Sequence, residues 1–224
     1  MSAPFYVAPE QVMKDRAEYA QKGIARGRAL AAVEFADGIV FVGENPSRSL
    51  YKTSEIYDRI AYAAVGRYSE FESMRVAGIR LADVKGYQYG RADVNAKTLA
   101  NAYSQFLGSV FMSGDKPYEV EALVAQVTDD TVEIYHILYD GSIVDEHGTI
   151  AIGGQAEGLS AALEEGHEPD MDRDAAIRLA ARVLDDSMDR ELAADALEVS
   201  GLDRRNGRRR FFRLDTDEVA AILG

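Results

Sequence analysis

Residues 29–45 read Ala29-Leu-Ala-Ala-Val-Glu-Phe-Ala-Asp-Gly-Ile-Val-Phe-Val-Gly-Glu-Asn45. They form two short apolar runs separated by Asp37-Gly38, a dipeptide that favours tight turns. The runs are apolar almost throughout instead of alternating with polar residues, and each is too short for a typical helix. We therefore predict two neighbouring strands, joined by a turn at Asp37-Gly38 and covered by other layers on both faces.

The rest of the chain alternates between strand and helix patterns. Apolar runs predict further strands at 60–65, 118–127, 132–139, 143–144 and 149–152, and a last hairpin of 196–202 and 209–214 around Asn206-Gly207. Helical spacing predicts helices at 9–22, 69–86, 99–111, 156–165, 172–188 and 217–223. Two helix pairs and doubly covered strands predict an α+β fold, a four-layer αββα sandwich of two antiparallel sheets.

The N-terminal region differs from this pattern. Residues 1–8 show no periodicity and are expected to be a separate segment, whereas 9–224 form one domain. Pro9 is suited to the first turn of the helix at 9–22. The apolar stripe of that helix is thin, with Val12, Met13, Ala17 and Ala20. We expect neighbouring chains to hold the helix more than its own core does.

Composition excludes several classes of protein. The 224 residues carry a formal net charge of −13, which disfavours a broad nucleic-acid surface. The absence of cysteine excludes disulfides and thiolate metal sites. No apolar run is long enough to span a membrane, and the N-terminus lacks the pattern of a signal peptide. A cytoplasmic protein without membrane contact is the expectation.

Motifs for cofactors and metals fail on spacing. Asp170-Met-Asp172-Arg-Asp174 starts like a calcium loop, but Ala175 and Ala181 stand where glycine and glutamate are required. Residues 153–158 lack the spacing of a dinucleotide loop and the lysine of a phosphate loop. The three histidines share no ligand spacing. We expect no cofactor and no metal.

One basic island interrupts the acidic chain. It consists of Arg204, Arg205, Arg208, Arg209, Arg210 and Arg213. A stand-alone binding module using this hairpin, 204–213, is the alternative function, but a nucleic-acid surface would need more interleaved aromatic residues. A solvated hairpin whose arginines pair with acidic neighbours is the simpler interpretation.

Short motifs along nearly the whole chain carry a specific resemblance. They are Arg16-Ala-Glu-Tyr19-Ala, Lys22-Gly23-Ile-Ala, Glu44-Asn45-Pro46-Ser47-Arg48-Ser49-Leu50, Ser54-Glu-Ile-Tyr-Asp58-Arg59-Ile60, Lys116-Pro117-Tyr118-Glu-Val120-Glu121, Tyr139-Asp140-Gly141-Ser142-Ile143 and Ile152-Gly153-Gly154. In this order they resemble α-subunits of the 20S proteasome, most of all the actinobacterial type. The chain departs from archaeal and eukaryotic relatives because no Tyr-Asp-Arg motif precedes Pro9.

The resemblance implies the fold of the N-terminal-nucleophile hydrolases without their chemistry. Catalytic members start the hairpin described above with a threonine whose free amine is the base. Ala29 stands near that place, and a methyl group beside an acylated nitrogen supplies neither group. Asn45 stands near the place of a catalytic aspartate, and an amide lacks its charge. We expect a non-catalytic subunit rather than an active amidohydrolase of the same fold.

The resemblance also implies partners and sites. Seven α-subunits form a ring at each end of a chamber of β-subunits, which carry the catalytic N-terminal threonines. Ring-shaped activators, either ATPases or ATP-independent rings, insert C-terminal tails between α-subunits. The implied gate consists of Ser2, Ala3, Pro4, Phe5, Tyr6, Val7, Ala8 and Pro9. Lys52 is the first candidate to pair with the terminal carboxylate of a tail, and Arg59 is the alternative.

Overall fold

The structure, a computed structural model, describes residues 8–47, 49–113, 116–188 and 192–224. Residues 2–7 of the expected gate lie outside these ranges, and only Ala8 and Pro9 of it are described. The helices are α1 (Pro9–Ala25), α2 (Tyr68–Gln88), α3 (Ala96–Ser113), α4 (Ala156–Gly166), α5 (Arg173–Met188) and α6 (Thr216–Leu223). The strands are β1 (Leu30–Phe35), β2 (Gly38–Glu44), β3 (Thr53–Tyr57), β4 (Ile60–Gly66), β5 (Val120–Val127), β6 (Val132–Ile137), β7 (Ile143–Glu146), β8 (Thr149–Ile152), β9 (Leu197–Asp203) and β10 (Phe211–Arg213).

The strands form two sheets that pack face to face. In the described residues one sheet has the order β10-β9-β2-β1-β8 and the other has the order β3-β4-β5-β6-β7. All neighbouring strands pair in antiparallel fashion. α4 and α5 cover the outer face of the first sheet, and α2 and α3 cover that of the second. These four layers confirm the predicted αββα sandwich.

The position of β2 explains its continuous apolar sequence. Ile39 and Phe41 face the core between the two sheets. Val40 and Val42 face the opposite way, into the core beneath α4 and α5. Because side chains of a strand alternate between its two faces, both sets are buried and neither can be polar.

The turn between β1 and β2 corrects the prediction of an Asp37-Gly38 turn. Phe35 pairs with Gly38, so the two turn residues are Ala36 and Asp37, and Gly38 already belongs to β2. A Cβ atom on Gly38 would overlap the carbonyl oxygen of Leu202 in β9. Glycine is therefore required by the close approach of a neighbouring strand, not by the turn.

Replacing Gly38 with alanine tests this explanation. The added methyl group would force β2 and β9 apart, and we expect Gly38→Ala to lower the free energy of unfolding by about 2–3 kcal/mol. The matched control is Gly158→Ala in α4, where an added Cβ meets no atom within 4 Å. This control should stabilise the chain by about 0.5–1 kcal/mol because alanine is the better helix former. Denaturant unfolding followed by circular dichroism measures both, and equal stability of the two variants would contradict the explanation.

The last hairpin also differs from its prediction. β9 ends at Asp203 and β10 begins at Phe211, so Asn206-Gly207 lies inside a longer connection, residues 204–210. The Asp203 carboxylate accepts the backbone N–H of Arg205 at 2.8 Å and begins a short 3₁₀ turn there. A two-residue turn is thus replaced by a loop that carries most of the arginine cluster.

Helix α1 is longer than predicted and is anchored at its C-terminal half. It starts at Pro9 as expected but continues to Ala25 instead of ending at residue 22. Its buried residues are Ala20 and Ile24. A Cβ atom on Gly23 would overlap the Glu119 carboxylate, so the helix lies close to the loop before β5. The first half of α1 has no fully buried residue, and Met13, Arg16 and Ala17 are half-buried there.

Candidate functional site

Lys52 lies directly before β3, at the end of the sandwich where α1 leads into β1. Its ammonium nitrogen Nζ donates a 2.6 Å hydrogen bond to the carbonyl oxygen of Arg28 and lies 3.5 Å from that of Ala29. Both carbonyls belong to the connection between α1 and β1. Since β1 and β3 belong to different sheets, the Lys52 side chain links the two sheets at this end.

Glu198 of β9 holds the backbone around Lys52. Its Oε2 accepts the backbone N–H of Lys52 at 2.9 Å, and its Oε1 accepts the backbone N–H of Thr53 at 3.0 Å. The Thr53 hydroxyl, the Asn45 amide and the Arg213 guanidinium donate three more hydrogen bonds to this carboxylate. Glu198 is only 7% exposed, and a buried carboxylate requires such donors. The network joins β3, β9, β10 and Asn45, which directly follows β2.

Both charged groups have displaced pKa values. Burial lowers the pKa of Lys52 to about 8, and the negative charge of Glu198 offsets this effect only in part. For Glu198, burial acts to raise the pKa, but hydrogen bonds from Thr53, Lys52 and Asn45 outweigh burial and hold the pKa below its ordinary value. At pH 7 the site therefore contains an ionised carboxylate and a cation that loses its proton as the pH rises through about 8.

The structure gives Asn45 a structural role. Its amide nitrogen donates to Glu198 at 2.6 Å and to the carbonyl oxygen of Leu50 at 2.8 Å, and its oxygen accepts the N–H of Ser47. An aspartate here would place a second negative charge against Glu198 and would donate no hydrogen bond. The amide therefore fits this position better than a carboxylate would.

Ala29 directly precedes β1 and is joined to Arg28 by a peptide bond. Its side chain is buried, and the neighbouring Arg28 guanidinium forms an ion pair of 3.4 Å with Glu44 at the end of β2. Neither a nucleophilic hydroxyl nor a free amine is present at residue 29. The arrangement can hold a cation in place but offers no covalent chemistry at this position.

Comparison with known proteins identifies the family. A model of the family described as proteasome subunit matches residues 24–200. The chain belongs to the proteasome subunit family. A protein named proteasome subunit alpha from Acidothermus cellulolyticus is 55% identical over 230 aligned residues, covering 100% of this chain and 98% of the relative. Those of Kineococcus radiotolerans and Thermobifida fusca are 53% and 51% identical, covering 100% of this chain and 98% and 91% of the relatives.

These relatives are of the α type and come from actinobacteria, which confirms the resemblance found in the sequence. The chain is a proteasome α-subunit, a component of the core particle. The α type is the non-catalytic type of subunit, in agreement with the alanine at position 29.

In this α-subunit the two predicted pocket cations lie far apart. Lys52 precedes β3 and Arg59 follows it, and the five residues of β3 span about 16 Å at about 3.3 Å per residue. The Arg59 guanidinium donates to the carbonyl oxygen of Ala92 at 2.7 Å, near the short 3₁₀ turn Arg91–Asp93. One pocket therefore cannot contain both cations.

The arginine cluster of the α-subunit is largely neutralised within the chain. Ion pairs join Arg205 to Asp203 and Asp37, Arg208 to Asp58, Arg209 to Glu55, Arg210 to Asp129 and Arg213 to Glu198. This confirms the interpretation as a hairpin whose arginines pair with acidic neighbours. The pairs account for the cluster without a nucleic-acid partner.

The described residues of the α-subunit contain no group of histidine and carboxylate side chains arranged to hold a metal ion. Asp172, from the sequence that starts like a calcium loop, instead accepts the N–H of Ala175 at 2.7 Å in the first turn of α5. None of the helices in these ranges is long and apolar enough to cross a membrane.

Sequence reasoning missed Glu198, Thr53 and Arg213, which organise the site. A signal was present, because Glu198 is the charged residue inside the mostly apolar run that predicts β9. A charged side chain inside such a run indicates either an exposed face or a buried polar network. The sequence alone does not distinguish these, since the donors come from three other elements.

Proposed function

We propose that this α-subunit forms the seven-membered outer rings of the 20S core particle and gates substrate entry to a chamber of β-subunits. In this proposal the β-subunits carry the N-terminal threonines and the proteolysis, and the particle degrades proteins in the cytoplasm. The α-ring receives the C-terminal tails of ring-shaped activators, either ATPases or ATP-independent rings. The observation that carries the proposal is the position of Lys52, a cation hydrogen-bonded to the connection behind α1.

Lys52 is well suited to bind the terminal carboxylate of an activator tail. Its described hydrogen-bond acceptors are neutral carbonyl groups, so its positive charge remains available for an incoming carboxylate. A charge-assisted hydrogen bond to a partly desolvated cation is stronger than one in water. Arg59 remains the alternative, because it too donates to a neutral carbonyl, that of Ala92.

Docking at Lys52 offers a physical route to the gate. A carboxylate that binds Nζ competes with the carbonyl oxygen of Arg28, three residues beyond the C-terminal end of α1. Loss of that hydrogen bond would free the connection and allow α1 to shift. Pro9 occupies the first turn of α1, so a shift of the helix moves the segment before it.

Exposed side chains along α1 support an assembly in which neighbouring α-subunits cover them. Val12 is 37% exposed and Tyr19 is 46% exposed, although both are large apolar side chains. Residues of this kind are common at subunit interfaces. The proposed gate, residues 2–9 with Phe5 and Tyr6 as its bulky members, would then be brought together around the ring axis.

Deleting residues 2–8 tests the gate. The assay uses the assembled particle, in which the chain is co-purified with its β-subunits. Assembly is checked by seven-fold end views in electron microscopy. We expect the deletion to speed degradation of a long unfolded peptide several-fold, because steric exclusion at the pore is removed. Hydrolysis of a small fluorogenic peptide should change less, since small molecules pass a closed pore more easily.

The control for this deletion is Glu10→Gln, an exposed change in the first turn of α1 that leaves residues 2–8 in place. It should leave the ratio of the two hydrolysis rates unchanged. Unchanged rates for both substrates in the deletion variant would show that the gate has been assigned to the wrong segment. If the parent chain purified as a monomer or small dimer, without seven-fold particles and without a β partner, the ring itself would be rejected.

A further inference from the structure

A small cavity lies at the end of the β3–β4 hairpin opposite Lys52. It has a volume of about 190 Å³. Its lining consists of Tyr57, Asp58, Arg59, Arg91, Ala92, Arg208 and Arg210. Four guanidinium groups thus converge on one cavity of a chain whose net charge is −13.

The cavity keeps an excess of positive charge. Arg91 and Arg208 both pair with Asp58, and the hydrogen bond from Arg91 together with the charge of both arginines holds the pKa of that carboxyl below its ordinary value. The lining therefore carries four positive charges and one negative charge, a net of +3. Asp129, which pairs with Arg210, and Asp83, whose charge acts on Arg91, lie outside the lining and reduce the local net charge from +3 to +1. An anion that enters is still attracted.

Neutral groups hold two of the arginines in place. Arg59 donates to the carbonyl oxygen of Ala92 at 2.7 Å, and no carboxylate pairs with it among the described residues. Arg210 donates to the carbonyl oxygen of Val127 at 2.7 Å and is only 9% exposed. These bonds to carbonyl oxygens orient both guanidinium groups. Arg210 also pairs with Asp129, whereas the charge of Arg59 is not neutralised by its carbonyl partner and its other N–H groups remain as donors.

The other two arginines of the lining, Arg91 and Arg208, are oriented by Asp58, and Arg91 also by an aromatic ring. The Arg91 guanidinium lies 4.8 Å from the centre of the Tyr57 ring and pairs with Asp58. Stacking on an aromatic face and a bidentate ion pair both fix the plane of a guanidinium. Arg208 reaches the same Asp58 carboxylate from the connection between β9 and β10.

We propose that this cavity binds a phosphate-type oxyanion. Several guanidinium planes approach from different elements, an arrangement that suits a tetrahedral dianion better than one planar carboxylate. Free phosphate and the phosphate group of an ester share this chemistry. The site is separate from Lys52, because it uses the opposite end of β3.

The test uses the full chain assembled with its β-subunits and inorganic phosphate as the probe. Calorimetric titration at constant ionic strength, balanced with chloride, should show saturable binding. Arg59→Gln and, separately, Arg208→Gln should each weaken binding about tenfold, because each removes a charged donor. Arg208→Gln is a second, independent variant. The Arg208 side chain is 74% exposed, so its replacement leaves the core undisturbed.

Arg205→Gln is the matched control. Arg205 belongs to the same connection but pairs with Asp203 and Asp37 and does not line the cavity. If contacts within the cavity bind phosphate, replacing Arg205 should leave the phosphate affinity within about twofold of the parent value. A larger loss would indicate attraction by the overall positive charge of the loop. If phenyl phosphate displaces phosphate, the cavity accepts phosphate esters. If phenyl phosphate does not displace it, the ligand is free phosphate. No saturable binding up to about 10 mM, or equal weakening in the Arg205 control, would overturn the proposal.

Discussion

We expect Lys52→Met to abolish stimulation of the assembled particle by its activator while leaving ring assembly intact. Methionine keeps the apolar stem but removes the ammonium that faces the terminal carboxylate. Loss of one partner of a desolvated charge pair costs about 3 kcal/mol, which lowers tail affinity about a hundredfold. Titration of a carboxyl-terminal tail peptide against the particle measures this affinity directly.

Stability of the subunit should change little in Lys52→Met. The lowered pKa shows that burial disfavours the charged form of Lys52, so removing the ammonium group relieves this desolvation cost. The same change loses the hydrogen bond to the Arg28 carbonyl, which opposes that gain. We expect these effects to leave the free energy of unfolding within about 1 kcal/mol of the parent value. A large loss of affinity with retained stability therefore indicates binding rather than folding.

The pH dependence separates a charge effect from a shape effect. Lys52 is protonated below its pKa of about 8, so tail affinity should be full near pH 7 and fall as the pH rises through 8. Lys52→Arg is the control, because a guanidinium keeps its charge throughout this range. Affinity of the arginine variant should stay constant between pH 7 and 9. If Lys52→Met kept full stimulation, the pocket cation would be assigned to Arg59 instead.

The second large effect concerns the buried carboxylate of Glu198. Glu198→Gln preserves size but replaces an acceptor that serves five donors with an amide that must point its own N–H groups at some of them. Removing one partner of a buried ionic network costs about 3–5 kcal/mol. We expect a loss of this size in the free energy of unfolding, measured by denaturant titration at fixed protein concentration. Circular dichroism or tyrosine fluorescence can follow unfolding, since the chain has no tryptophan.

The control for Glu198→Gln is Glu165→Gln, an exposed glutamate near the end of α4. It should change stability by less than about 0.5 kcal/mol. Because the folded-state pKa of Glu198 is lowered, its ionised form stabilises the parent above the ordinary glutamate pKa, and this contribution disappears as the pH falls through the folded pKa. The glutamine variant should lack this acid-dependent loss. Stability equal to that of the Glu165 variant at pH 7 would contradict the network.

Glu198→Gln should also weaken tail binding, because Glu198 fixes the backbone of Lys52. The hydrogen bond that connects them is 2.9 Å long and joins residues 146 positions apart. Glu198 is therefore a positioning residue for the proposed pocket. A tail affinity unchanged in a variant that still folds would limit its role to stability.

Much of the fold was predictable from the sequence because local patterns report burial. The uninterrupted apolar run of β2 and the helical spacing of α3 and α5 each reflect the neighbours of a single element. The residue type at position 29 excludes a nucleophile wherever the chain places it. The order of motifs then indicated the family, which the full-length relatives confirm.

Only the tertiary structure decided the roles of residues whose partners are distant in the chain. Gly38 looked like a turn residue, but the β9 carbonyl of Leu202 is what excludes a side chain there. The lowered pKa of Lys52, the donors around Glu198 and the four arginines of the cavity likewise depend on elements from opposite ends of the chain. Periodicity is set by contacts within a few residues, whereas hydrogen bonding, desolvation and charge are set by whatever folding brings within a few ångströms.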